Sequence, residues 1–190
     1  MMKKLNKKDG SIMDFIIPLG FLILLCVVIN YLLVDRQITI ARDDIEDSLV
    51  SATLAAATFN TELYGTSNDI VITDNIQAFN NFKRSLKENL ELNDSMVPLK
   101  SNSAIKSEVI LKNFIIYNVV GNDVKEINRS ETGNITEINH ANGKGVVITP
   151  KGEYIKNTTV YTKIEFTVGE FMGISKNDAI KECTVDLTDE

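Results

Sequence analysis

Few side chains in this 190-residue chain have the type and spacing that chemistry requires. The one histidine, His140, sits in the turn-forming stretch "NHANG", and the only thiols are Cys26 and Cys183. A serine or cysteine nucleophile needs a base that is itself oriented by a third group. A histidine at a turn tip with no paired thiol does not offer that, so His140 reads as a solvated loop residue. No group of Cys, His, Asp and Glu has zinc spacing, and no twelve-residue calcium loop occurs. No glycine-rich phosphate cradle is present either. The pattern is that of a protein without catalytic or metal-ligating residues and without a cofactor.

One acid does stand out. In "KKDGSIMDFIIPLGFLILLCVVINYLLVDRQ", residues 7 to 37, Asp14 opens a run in which Asn30 is the only strongly polar side chain between Phe15 and Val34. An acid in hydrocarbon costs about 2.5–3.5 kcal/mol on insertion scales and usually matters where it occurs.

The elements around Asp14 set its depth. About 20 apolar residues wound as a helix span about 30 Å, the thickness of a bilayer core. The run 11–34 is therefore expected to cross a membrane. Residues 1–10 hold four lysines against one aspartate. The positive-inside rule then keeps this leader cytoplasmic and exports the chain beyond Val34. With those three net positive charges and Asp14 set aside, the overall −6 leaves −8 on residues 35–190. So acidic an ectodomain excludes nucleic acid as a partner and disfavours lying on anionic lipid. "NYLLVDRQ" offers no small-x-small cleavage site, which separates the run from a secretory signal. Cys26 and Cys183 fall on opposite sides of this boundary, so no internal disulfide is expected.

Beyond Val34, Ile38, Ala41, Ile45, Leu49, Ala52, Ala56 and Phe59 recur every three or four residues, which predicts an amphipathic continuation of the helix over 35–62. Its small residues, Ala52 and Ala56, together with Phe59 form a packing face. That face suits either the protein's own domain or neighbouring subunits. The acids of "RDDIEDS", residues 42–48, lie around the rest of the helix as a solvated surface. Residues 64–75 read as loop, and Asp74 with Gln77 marks the start of a second helix over 75–92.

From Ser107 the pattern turns to β. In "TVYTKIEFTV", Val160, Ile164, Phe166 and Val168 alternate with Tyr161, Lys163, Glu165 and Thr167, so one face is expected to be buried. Cys183, Val185 and Leu187 close the chain as a strand. A long helix, a short helix and then a mostly antiparallel sheet make an α+β fold, with residues 63–190 as an extracytoplasmic domain.

A basic leader ending in Gly10, then Ser11, an acid, an apolar helix and an amphipathic extension resembles a type IV pilin-like precursor. "GSIMDFIIPL" is similar, more closely, to the start of the pseudopilins of tight-adherence (Tad) pili. The resemblance covers about residues 7–60. It implies cleavage between Gly10 and Ser11 by a prepilin-type peptidase, and a role for Asp14 as the intramembrane acid that pairs with a neighbour's new amino terminus. It implies like pilin subunits and an assembly platform as partners, and a surface filament as the product. In one respect the chain departs from the pattern: its acid is an aspartate four residues after the glycine, where the family places a glutamate five residues after it. A permanently anchored extracytoplasmic binding domain, neither processed nor polymerised, is the competing expectation.

Overall fold

The computed structural model describes residues 12–168 and 177–188. Helices precede strands: α1 Ile12–Ala56, α2 Thr61–Ser67 and α3 Asn75–Asn89, then β1 Ile110–Val120, β2 Asp123–Arg129, β3 Ile135–His140, β4 Thr158–Val168 and β5 Asn177–Leu187. The protein is α+β, with a long apolar N-terminal helix and a five-stranded antiparallel sheet. Two compact units divide the chain, Met1–Arg42 and Asp43–Glu190.

In the first unit α1 continues through Pro18, which fits a helix at the cost of one backbone hydrogen bond. The apolar side chains from Phe15 to Leu33 are exposed, Phe15 by 69% and Tyr31 by 70%. Among the described residues α1 is the one helix long and apolar enough to cross a membrane. Asn30 turns its amide back onto the carbonyl of Cys26 at 2.7 Å, so part of its polarity is satisfied within the helix.

In the second unit the end of α1 lies against one face of the sheet. Ile45, Leu49, Ala52, Thr53 and Ala56 are all buried, at the three- and four-residue spacing the sequence predicts. The helix stops at Ala56, short of the expected 62, although neither glycine nor proline intervenes. What ends it is Asn60. Its extended backbone and its side chain cap α2 by accepting from the N–H groups of Glu62 and Leu63, while its own N–H goes to Val71. Phe59 thus lies off the helix and packs edge-on against Tyr64 at 5.7 Å. Residues 64–67, expected as loop, are helical in α2 for the same reason.

The second predicted helix is α3. Asp74 accepts from the Gln77 N–H, and Phe79, Phe82 and Leu86 enter the core, with Phe79 edge-on to Phe114 of β1.

The sheet order is β3-β2-β1-β4-β5, every pair antiparallel. Phe114, Ile116, Val160 and Ile164 face the helices and are fully buried. Tyr161, expected on the open face, is fully buried as well. The connection from β3 to β4 folds back over that face, and Ile155 from it joins Ile115, Tyr117, Val124 and Tyr161 in a second core. Period-two alternation along β4 marks one buried face, but it cannot reveal a cover supplied by a distant turn-rich segment.

Candidate functional site

Three regions hold the residues with functional potential: the N-terminal helix, the helix–sheet contact and the covered sheet face. Gly10 and Ser11 lie outside the described residues. Asp14 falls in the first turn of α1, directly before the exposed apolar run.

Ala52 and Ala56 suit two kinds of partner on sequence grounds, and the fold assigns them to one. Both are 0% exposed, inside the core that α1 and α3 form with the sheet. Small side chains here let the helix approach its own sheet closely enough for Thr53 Oγ1 to reach Thr162 Oγ1 at 2.7 Å. Thr53 Oγ1 also reaches back to its own turn, donating to the Leu49 carbonyl at 2.8 Å. The Cys183 thiol is buried beside Thr53, and burial pushes its pKa up, which the neighbouring Thr53 hydroxyl offsets only in part. A buried thiol held protonated is inert as a nucleophile. Lys181 of β5 and Glu46 of α1 pair at the rim of the same contact.

The solvent side of α1 in this unit carries Asp43, Asp47, Val50 and Leu54, the last 54% exposed. The acids of 42–48 are therefore an exposed face, as their spacing predicts, with Glu46 paired to Lys181, while Ile45 between them is buried.

Asn118 occupies a position that the apolar run "FIIYNVV" makes conspicuous. Its side chain is buried and holds both backbone groups of Ile72: the Ile72 N–H donates to Oδ1 at 2.8 Å, and Nδ2 donates to the Ile72 carbonyl at 2.9 Å. An amide side chain thereby replaces a strand partner for the α2–α3 connection. A polar residue inside an otherwise apolar strand is the sequence signal for this clamp.

On the covered face His140 is not a turn-tip residue. It ends β3 opposite Val124, half-buried, with Nε2 3.1 Å from Glu126 Oε2. The burial of Tyr117 raises its phenol pKa, and the Glu126 carboxylate adds to the shift. Burial likewise raises that of Tyr161, whose hydroxyl donates to Glu182 at 2.7 Å. Glu153 of the covering segment has its carboxyl pKa lowered by the nearby Thr184 hydroxyl and then by Lys151, with which it pairs at 3.0 Å. These contacts pair acids with donors that are already committed, and no side chain among them is left as a free nucleophile beside a base.

An open cleft of about 540 Å³ lies at the end of α3, lined by Arg84, Lys87, Glu88, Leu92, Leu99 and Lys100 among others. Its lysines are spoken for, Lys87 by Asp94 and Lys100 by Glu91. Among the described residues no three His, Cys, Asp or Glu side chains come together as a metal site.

Compared with protein families, curated proteins and solved structures, the chain matches none.

Proposed function

We propose that the chain is a structural subunit, a minor pilin or pseudopilin of a Tad-like type IV pilus or secretion system. Its leader is cut between Gly10 and Ser11 by a prepilin-type peptidase. Its N-terminus starts in the cytoplasm, α1 crosses the membrane, and the α+β domain is extracytoplasmic. Like subunits and an assembly platform are its partners.

The observation that carries this reading is the division of labour along α1. From Ile45 to Ala56 the helix spends its buried stripe on the protein's own sheet, whereas from Phe15 to Leu33 its apolar side chains are exposed. Among the described residues nothing covers them, and so large an apolar surface requires lipid, other helices, or both. A leader with the Gly10-Ser11 junction and Asp14 at the head of that surface supports assembly over simple anchoring. The amino group freed at Ser11 supplies a counter-charge for a carboxylate that is costly alone.

A second reading keeps two observations on its side. Ala52 and Ala56 are consumed internally, which removes a small-residue face that neighbours would have used. Asp14 also sits one residue nearer the junction than the pilin pattern places it, a rotation of about 100° on a helix. Both suit a permanently anchored binding domain.

Cysteine cross-linking separates the two. In a Cys26→Ser background, single cysteines placed from Leu22 to Leu33 in the membrane-inserted full chain are expected to cross-link between copies with helical periodicity. Uniformly absent cross-linking would leave the anchored domain.

A further inference from the structure

We infer that β3 is a self-association edge through which two copies of this domain join their sheets, β3 against β3, antiparallel, with Ile138 facing Ile138 across the two-fold axis. The inference goes beyond the subunit reading and rests neither on leader cleavage nor on α1.

The sheet has two outer strands, β3 and β5. An unpaired edge invites another strand, and proteins usually guard it with charge, proline or a bulge. β5 is guarded: its 11 residues include Asp178, Lys181, Glu182 and Asp186. β3 is not. Its six residues, "ITEINH", contain one formally charged side chain, Glu137, and no proline. Its register with β2 runs without interruption from Arg129↔Ile135 to Val124↔His140, so no bulge twists it away. All its residues but His140 are exposed, Ile135 by 40% and Ile138 by 50%.

The register follows from the ladder. Ser130 N–H donates to the Asn134 carbonyl at 2.9 Å, and the same register continues through Asn128↔Thr136 and Glu126↔Ile138. Antiparallel ladder bonds alternate, so even-numbered residues of β3 spend their backbone groups on β2. Ile135, Glu137 and Asn139 then turn theirs outward, the arrangement a further strand requires. A second β3 brought in about a two-fold axis pairs even with even and odd with odd.

Four registers centred on a residue overlap the strands by at least three residues each. Centring on Thr136 sets the Glu137 carboxylate against the apolar Ile135 and leaves Ile138 beyond the partner strand. Centring on Glu137 sets two carboxylates opposite each other, which is unfavourable. Centring on Asn139 sets Ile138 against the histidine of the other copy. Centring on Ile138 buries the most exposed apolar side chain of the strand against its own copy, and it places Glu137 opposite the Asn139 amide, a charge facing a donor. So short an edge falls below the area of a stable interface, about 1,000 Å². The pairing is therefore transient in dilute solution and strengthened where copies are confined together.

The test is site-specific oxidation of the purified full chain in detergent, in a Cys26→Ser background where the remaining thiol, Cys183, is buried. Ile138→Cys is expected to form a dimer of twice the chain mass about tenfold faster than Leu99→Cys, an exposed position outside the sheet in the cleft at the end of α3, because only pairing raises the local thiol concentration. Glu137→Cys mixed with Asn139→Cys is expected to cross-link faster than either variant alone, which fixes the register. These two variants also keep the test open should Ile138→Cys fail to fold, as judged by circular dichroism. Equal rates at Ile138 and Leu99 with no gain on mixing would overturn the proposal. So would mixing-independent dimers of Glu137→Cys, which would mean the edges meet in another register.

Discussion

Thr53 on α1 and Thr162 on β4, 109 positions apart in the sequence, share a buried hydrogen bond of 2.7 Å in the plane where helix meets sheet. Neither hydroxyl has access to water. With the Thr53 proton given to the Leu49 carbonyl, the Thr162 hydroxyl donates to Thr53 and depends on it. Thr53→Val strands the Thr162 hydroxyl and is expected to lower stability by about 1–3 kcal/mol. Replacing both by Val removes donor and acceptor together at nearly unchanged shape, and is expected to recover most of that loss. Denaturant unfolding in detergent of the unaltered chain, Thr53→Val, Thr162→Val and the double variant measures the coupling. A double variant no more stable than the single one would show that the hydroxyls do not act as a pair.

The two buried tyrosines make the fold sensitive to alkali. Tyr117 and Tyr161 both have raised pKa values, chiefly through burial, so the folded state holds their protons where the unfolded chain has released them. For a group whose folded pKa is raised, the stability is fully present below the unfolded value, 10.0 here, and is lost as pH climbs above it. The expected slope is about −1.4 kcal/mol per pH unit for each tyrosine still protonated in the folded state. Tyr117→Phe should remove one share of that slope. Tyr161→Phe should remove another while also forfeiting the hydrogen bond to Glu182, so it lowers stability at neutral pH as well. Unfolding free energies measured from neutral pH into the alkaline range read both effects.

Gly143 fixes how the covering segment leaves β3. A Cβ built there would stand 2.8 Å from His140 Cβ, 2.9 Å from the His140 carbonyl oxygen and 3.0 Å from Val147 Cγ2. The first two contacts involve main-chain or Cβ atoms, which cannot swing aside as a side-chain tip can. Gly143→Ala is expected to cost about 1–3 kcal/mol, in the range for overpacking a tight site. It should also expose amides of the cover, such as that of Ile155, to faster hydrogen exchange, with little change in α3. Gly145, where a Cβ meets nothing but the backbone has φ of +73°, should show a smaller loss of about 1 kcal/mol from positive-φ strain alone.

How much of this was legible in the sequence varies with the range of the interaction. Ile45, Leu49, Ala52 and Ala56 announced a buried helix stripe because helical spacing is local, and Asp74 with Gln77 announced the start of α3 for the same reason. Val160, Ile164 and Phe166 likewise announced one face of β4. Asn60 ended α1 early, and an asparagine ahead of "TEL" is a cap signal that the absence of glycine and proline obscured. Tyr161 reads as an open-face residue and His140 as a turn-tip residue, because the sequence does not show that the segment between β3 and β4 folds over Tyr161, nor that His140 pairs within the sheet. β2 and β3 lack an apolar stripe strong enough to mark them, being a mixed strand and an exposed edge. As for the candidate site, Gly10, Ser11 and Asp14 were visible as a motif, whereas the internal use of Ala52 and Ala56 depended on which surface lay opposite the helix.

The mature N-terminus bears most directly on the subunit reading. Intact-mass analysis of the chain extracted from membranes of cells that also produce a prepilin-type peptidase is expected to give a protein beginning at Ser11, with Gly10→Ala or Gly10→Leu retaining the leader. A chain that still begins at Met1 or Met2 beside an active peptidase, with the Gly10 variants no different, would contradict it.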